Sequence, residues 1–174
     1  MKLSAACLIA GIDRFTETTG KAVSWLVLAL VLLICYDVAM RYLFQQGSVA
    51  LQELEWHLFA LMFLLGGAYT MKHDEHVRVD ILYQSRFVSD RGRAWISILG
   101  TCLFLFPFCF LILFTTWPFV ENAFNYREGS PDPGGLPHRF ILKGAILVAF
   151  VMLMLQGLAE LLKQVEVLRH KESR

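Results

Sequence analysis

The sequence predicts an all-α integral membrane protein with four transmembrane helices and both termini in the cytoplasm. Three observations carry that expectation. Charged residues make up only 18% of the 174, against about a quarter in soluble domains. They also avoid four long stretches, near Ala22–Met40, Trp56–Thr70, Ala94–Pro118 and Phe140–Leu162. Lys and Arg, finally, alternate between abundant and sparse in the segments that separate those stretches. Such apolar runs lack the period-two alternation of a barrel strand, and lipid offers the backbone no partner outside a helix.

The chain reads as one membrane domain over residues 1–174, with spans at about 22–42, 52–71, 94–118 and 139–162. A bilayer core needs about 20 apolar residues of helix. The second span reaches that length only by taking in the polar residues from Leu51 onward. Ahead of the first span, "MKLSAACLIAGIDRF" has too short an apolar run, and no cleavage site, for a signal peptide. It reads as an amphipathic helix on the membrane surface. Asp37 and Arg41, four residues apart near the outer end of the first span, have the spacing of an intrahelical ion pair. Glu53 and Glu55 stand where carboxylates complement the amino terminus of the second helix. Gly66, Gly67 and Thr70 on that helix, with Ala145 and Ala149 on the fourth, offer surfaces for close helix approach. Pro107 is expected to kink the third span. The loop "NYREGSPDPGGLPHRF" is too rich in Pro and Gly to be helical, and Pro137 suits the first turn of the fourth span. Lys143, one turn inside, can snorkel to the interface. Gln156 lies deeper, four residues before Glu160, and fits an interhelical hydrogen bond.

Lys and Arg set the orientation. Lys2, Arg14 and Lys21 precede the first span; Lys72, Arg78, Arg86, Arg91 and Arg93 fill the central loop 72–93; Lys163, Arg169, Lys171 and Arg174 close the chain. Loops 43–51 and 119–138 hold little more than Arg127, with Arg41 and Arg139 at helix ends. The positive-inside rule then puts loop 72–93 and both termini in the cytoplasm, and loops 43–51 and 119–138 in the periplasm. Trp25 and Trp95 fall at the cytoplasmic interface, Trp56 and Trp117 at the opposite one.

Several function classes drop out. A net charge of +1 without a basic tract gives no footing for nucleic acid. Cys7, Cys35, Cys102 and Cys109 form no CxxC pair for thiol chemistry. His73, Asp74, His76 and Asp80 are ligand types, but they lack the i,i+4 histidine pair and third ligand of a metal site. No catalytic, metal or cofactor residue is expected. No pair of interrupted helices appears, and such pairs build the midplane site of a solute carrier. His57 and His138, at outer helix ends, leave one alternative: a haem-carrying membrane anchor of an oxidoreductase. Asp37, Arg41, Glu53, His76, Arg78, Asp80, Glu128, Lys143 and Gln156 are the candidates for structural or subunit contacts. "HVRVDILYQSRF" (His76–Phe87) reads as an orienting cytoplasmic loop, part of it folded against the bundle or a partner.

The order of certain segments carries a resemblance. Arg41-Tyr42-Leu43-Phe44 ends the first span and "ALQELEW" begins the second. "GGAYTMKHDEHVRVD" closes the second, and "EGSPDPGGLPHRFILKG" opens the fourth. From about Ile12 to Lys163 the chain resembles the small membrane subunit, DctQ-like, of tripartite ATP-independent periplasmic (TRAP) transporters. The resemblance implies a bacterial inner-membrane importer of three components. A periplasmic solute-binding protein captures a small solute, often an organic acid. A large permease subunit carries it by an elevator movement driven by a sodium or proton gradient. The small subunit supports the large one's fixed scaffold in the lipid bilayer and carries nothing itself.

Overall fold

The computed structural model describes the backbone of residues 2–73 and 90–172. Four helices fill it, and the described residues contain no strand. We number them α1 (Lys2–Leu43), α2 (Val49–Lys72), α3 and α4 (Phe140–Glu172). Helix α3 is continuous through three pieces: Asp90–Gly100, a π-helical turn at Thr101–Leu105, and Phe106–Asn125. All four are long and apolar enough to cross a bilayer. They also outrun the expected spans. The 42 residues of α1 rise about 63 Å, twice the roughly 30 Å of hydrocarbon.

Helix α4 is the hub. It packs on α1, α2 and α3, while α1 also packs along α2. The buried core is built from small residues, among them Ala68, Ala94, Ala123, Ala149 and Ala159. Short side chains let helix backbones approach, and close packing is what holds helices together in lipid. The large residues face outward instead, including Trp25, Trp56, Trp95 and Trp117. Two glycines mark the tightest crossings. A Cβ on Gly20 of α1 would stand 2.9 Å from Cβ of Tyr69 on α2. A Cβ on Gly157 of α4 would collide with Leu105 and come within 3.5 Å of Phe106 and 3.7 Å of Met71.

Two local expectations change in detail, at the start of α1 and at Pro137. The segment before Ala22 does not leave α1 to lie on the membrane. It prolongs the helix and docks on α4, because Asp13 and Thr16 find polar partners there. Pro107 follows the π-turn, whose closing bond runs from the Phe106 N–H to the Thr101 carbonyl. Proline has no N–H to give the Leu103 carbonyl, and a widened turn is a recognised way for a helix to absorb such a break. Pro137 does not open α4 either. His138 takes φ +64, in the left-handed region, and the helix starts beyond it at Phe140.

Candidate functional site

Polar side chains gather at the two ends of the bundle. At the end that carries the α1–α2 and α3–α4 connections, Glu53 ties the α3–α4 loop down onto α2. Its carboxylate accepts from the Ser130 hydroxyl and, at 2.6 Å, from the Leu136 N–H. Gly135 leaves room beside it, since a Cβ there would collide with Ser130 Cβ and come 2.8 Å from Glu53 Oε2. The loop holds itself as well: Ser130 N–H donates to Leu136, Gly135 N–H to Asp132, and Arg139 N–H to Glu128. The Arg139 guanidinium lies 5.3 Å over the Trp56 ring. Lys143 pairs with Glu128 and stands 3.9 Å over Phe119. At the start of the loop, Glu128 N–H reaches the Ala123 carbonyl and Arg127 N–H that of Phe124. That bond pair is a Schellman cap, with Arg127 at φ +47 in the place usually taken by glycine.

Beside this loop the α1–α2 corner is held by Arg41. Its guanidinium pairs with Asp37 one turn back. With the Gln52 amide oxygen turned toward it, the same group also donates across to α2, at 2.5 and 2.8 Å. Asp37 is 3% exposed, and its Oδ1 is buried without a hydrogen-bond donor among the described residues. Arg41 is therefore the group that compensates the buried carboxylate, and removing it would strand that charge.

A second network closes the other end. Gln156 of α4 is fully buried. It accepts from the Thr16 hydroxyl at 2.8 Å and donates to Asp13 at 3.1 Å, both on α1. Lys163 joins Asp13 at 3.0 Å. Glu17 then links α1 to the end of α2, at 2.6 Å from Lys72 and 3.0 Å from His73. A buried interhelical hydrogen bond such as Thr16–Gln156 contributes roughly 1 kcal/mol within a bilayer. Together these contacts fix how α1, α2 and α4 register at this end. The described residues contain no group of three or more His, Cys, Asp or Glu side chains placed to hold a metal. Nothing in either network resembles a nucleophile with its base.

The DctQ component of the tripartite ATP-independent periplasmic transporters matches residues 30–167, which reach into all four helices. The chain belongs to this family. A TRAP transporter small permease protein of Haemophilus influenzae is 27% identical over 129 residues, or 73% of this chain and 78% of that one. The C4-dicarboxylate TRAP transporter small permease protein DctQ of Vibrio cholerae is 27% identical over 128 residues. That match covers 70% of this chain and 54% of the relative. The DctQ-like chain is thus a transporter component rather than an enzyme, a multi-pass protein of the bacterial inner membrane.

Largely apolar grooves also run along the bundle of this DctQ-like chain. Met62, Phe63, Gly66, Gly67 and Thr70 of α2 face Ala149, Phe150 and Leu153 of α4 across an open groove of about 500 Å³. The glycines there differ from Gly20 and Gly157: a Cβ on Gly66 or Gly67 meets nothing within 4 Å. A second groove of about 410 Å³ lies between α3 and α4, lined by Trp117, Glu121, Phe124, Ile141 and Gly144 among others. Gly144 is open too.

The structure places the expected site residues as follows. Asp37 with Arg41, Glu53, and Glu128 with Lys143 stand at the loop end of the bundle, and Gln156 stands at the other. Gln156 does not pair with Glu160, which instead accepts from Gln164 one turn on. His76, Arg78 and Asp80, and most of loop 72–93, lie outside the described residues. His57 turns Nδ1 to the Glu53 carbonyl at 2.6 Å, and His138 sits in the loop rather than on a helix. Thr16, Asp13, Glu17 and Gly20 are contributors that pattern alone did not single out. Spacing within α1 carries no sign of their partners, which lie on α2 and α4.

Proposed function

We propose that this chain is the small permease subunit of an ion-gradient-driven TRAP importer for a small solute, an organic acid in the first instance. It braces the fixed scaffold of the large permease subunit in the bilayer and does not move solute itself. The observation that carries this reading is the family match from residue 30 to residue 167. The dicarboxylate assigned to the Vibrio cholerae relative supports the solute class. The architecture supports the division of labour. The described spans run continuously apart from one π-turn, their polar groups sit at the bundle ends, and among the described residues no unwound helix offers carbonyls to an ion. A periplasmic solute-binding protein and the large permease subunit are the partners this reading requires.

Reconstitution tests it. Vesicles with this chain alone should show no solute uptake, whereas this chain, the large permease and the soluble binding protein together should concentrate solute when a sodium or proton gradient is imposed. Uptake by the single chain would remove the accessory role.

Orientation follows from the charge pattern. In a version lacking Cys7, Cys35 and Cys102, a membrane-impermeant thiol reagent outside the cell should label cysteines placed at Gly47 and Asp132. It should spare those at Ser89 and Ser173. Asp132 is preferred to Gly134, whose φ of +81 would strain a cysteine. Labelling of Ser89 from outside would reverse the topology.

A further inference from the structure

The two connections at the Glu53 end of the bundle are unequal. Residues 44–48 join α1 to α2 directly, whereas α3 and α4 are separated by everything from Tyr126 to Arg139. Helix–helix connections usually take about 2–8 residues, and longer irregular ones in compact folds are mostly functional or disordered. This one is ordered. Glu53 grips it from α2 through Ser130 and Leu136, and Arg139 and Lys143 clamp its far end. It also holds two non-glycine residues, Arg127 and His138, in the left-handed region. Such conformations are unfavourable for residues that carry a Cβ and persist only where the surroundings enforce them.

What this investment displays is polar and rigid. Arg127, Gly129, Pro131, Asp132, Pro133, Gly134, Pro137 and His138 are exposed, while the residues that anchor them are partly covered. A surface of Pro, Asp, Arg and His is poorly suited to lipid, where each unpaired polar group is costly. It suits a water-soluble partner. Rigid presentation lowers the ordering entropy that binding otherwise consumes.

We infer that the loop from Arg127 to His138 is a preformed docking platform for the soluble solute-binding component of the transporter, with Glu53 as the residue that positions it. This rests on the function proposed above, and on that orientation the loop faces the periplasm. The tip, Pro131–Gly134, makes the contact. Glu53, beneath it, sets the tip's shape without touching the partner.

The test titrates solute-binding protein against uptake by the complete complex in proteoliposomes. Co-purification of this chain with the large permease is measured in parallel. Asp132→Lys, and Pro131→Gly with Pro133→Gly, should raise the concentration of binding protein needed for half-maximal uptake by roughly tenfold, a loss of about 1.4 kcal/mol. Uptake at saturation and co-purification should stay as in the wild type. Glu53→Gln should act in the same direction although it lies below the surface. An unchanged titration for both tip variants would overturn the platform. So would loss of co-purification, which would make the loop part of the contact between membrane subunits. If the unmodified complex shows no dependence on the soluble protein, the transporter reading itself falls, and the platform falls with it.

Discussion

Gly20→Ala should destabilise the isolated chain by about 1–3 kcal/mol, although alanine is the better helix former by about 1 kcal/mol. The new methyl would press on Tyr69 at its Cβ and the root of its ring, with a Cβ–Cβ separation of 2.9 Å. Those atoms cannot swing away as the end of a flexible side chain can. Helix α1 would have to move off α2, and the strain falls close to the Glu17–Lys72 and Thr16–Gln156 contacts that register the same helices. Gly20→Val should cost more. Unfolding in detergent, followed by circular dichroism, measures the effect. Gly67→Ala is the control: its site is open, so the helix-propensity gain of about 0.5–1 kcal/mol should appear unopposed. A Gly20→Ala chain as stable as the wild type would mean that α1 and α2 pack more loosely here.

The contrast between these two glycines shows where sequence reasoning stops. Hydropathy located four spans, because desolvating an ionisable side chain in lipid is so costly that charges mark the borders directly. It did not find helix ends. Nothing in "FVENAFN" breaks a helix, so α3 runs on to Asn125 and stops where Arg127 accepts a left-handed cap. Spacing found the Asp37–Arg41 pair, since both members lie one turn apart on a single helix. It could not find Thr16 with Gln156, or Glu53 with Ser130, because those partners are separated by 140 and 77 residues. Glu53 illustrates the limit. A carboxylate at a helix amino terminus has a sufficient local explanation, and that explanation conceals its grip on a distant loop. Gly20, Gly66 and Gly67 look alike in sequence. Only the surroundings of each Cβ position tell them apart.

Gly66→Leu and Gly67→Leu should leave the isolated chain folded and sharply reduce its co-purification with the large permease subunit, by tenfold or more. Two adjacent glycines in a helix interior cost roughly 1 kcal/mol apiece relative to alanine, yet among the described residues nothing beyond the local turn of α2 itself comes within 4 Å of where their side chains would begin. Packing against the described residues therefore gives no reason for them. They open instead onto the groove shared with Ala149 and Leu153, three-quarters of the way along the α2 span, where lipid supplies no hydrophobic drive between helices. Association there depends on how closely backbones approach. A helix of the large permease seated against Gly66 and Gly67 would account for both, and two leucine side chains would fill much of the roughly 500 Å³ it occupies. A factor of ten corresponds to about 1.4 kcal/mol, a modest demand on such a clash. Gly144→Leu, equally open but in the groove between α3 and α4, is the matched comparison. Phe114→Leu on the outward face of α3 should be neutral. The readout is pull-down at equal expression, with size-exclusion profiles of each chain alone. If Gly144→Leu disrupts the complex while the Gly66 and Gly67 variants assemble normally, the large subunit sits on the α3–α4 side and the α2–α4 groove faces lipid.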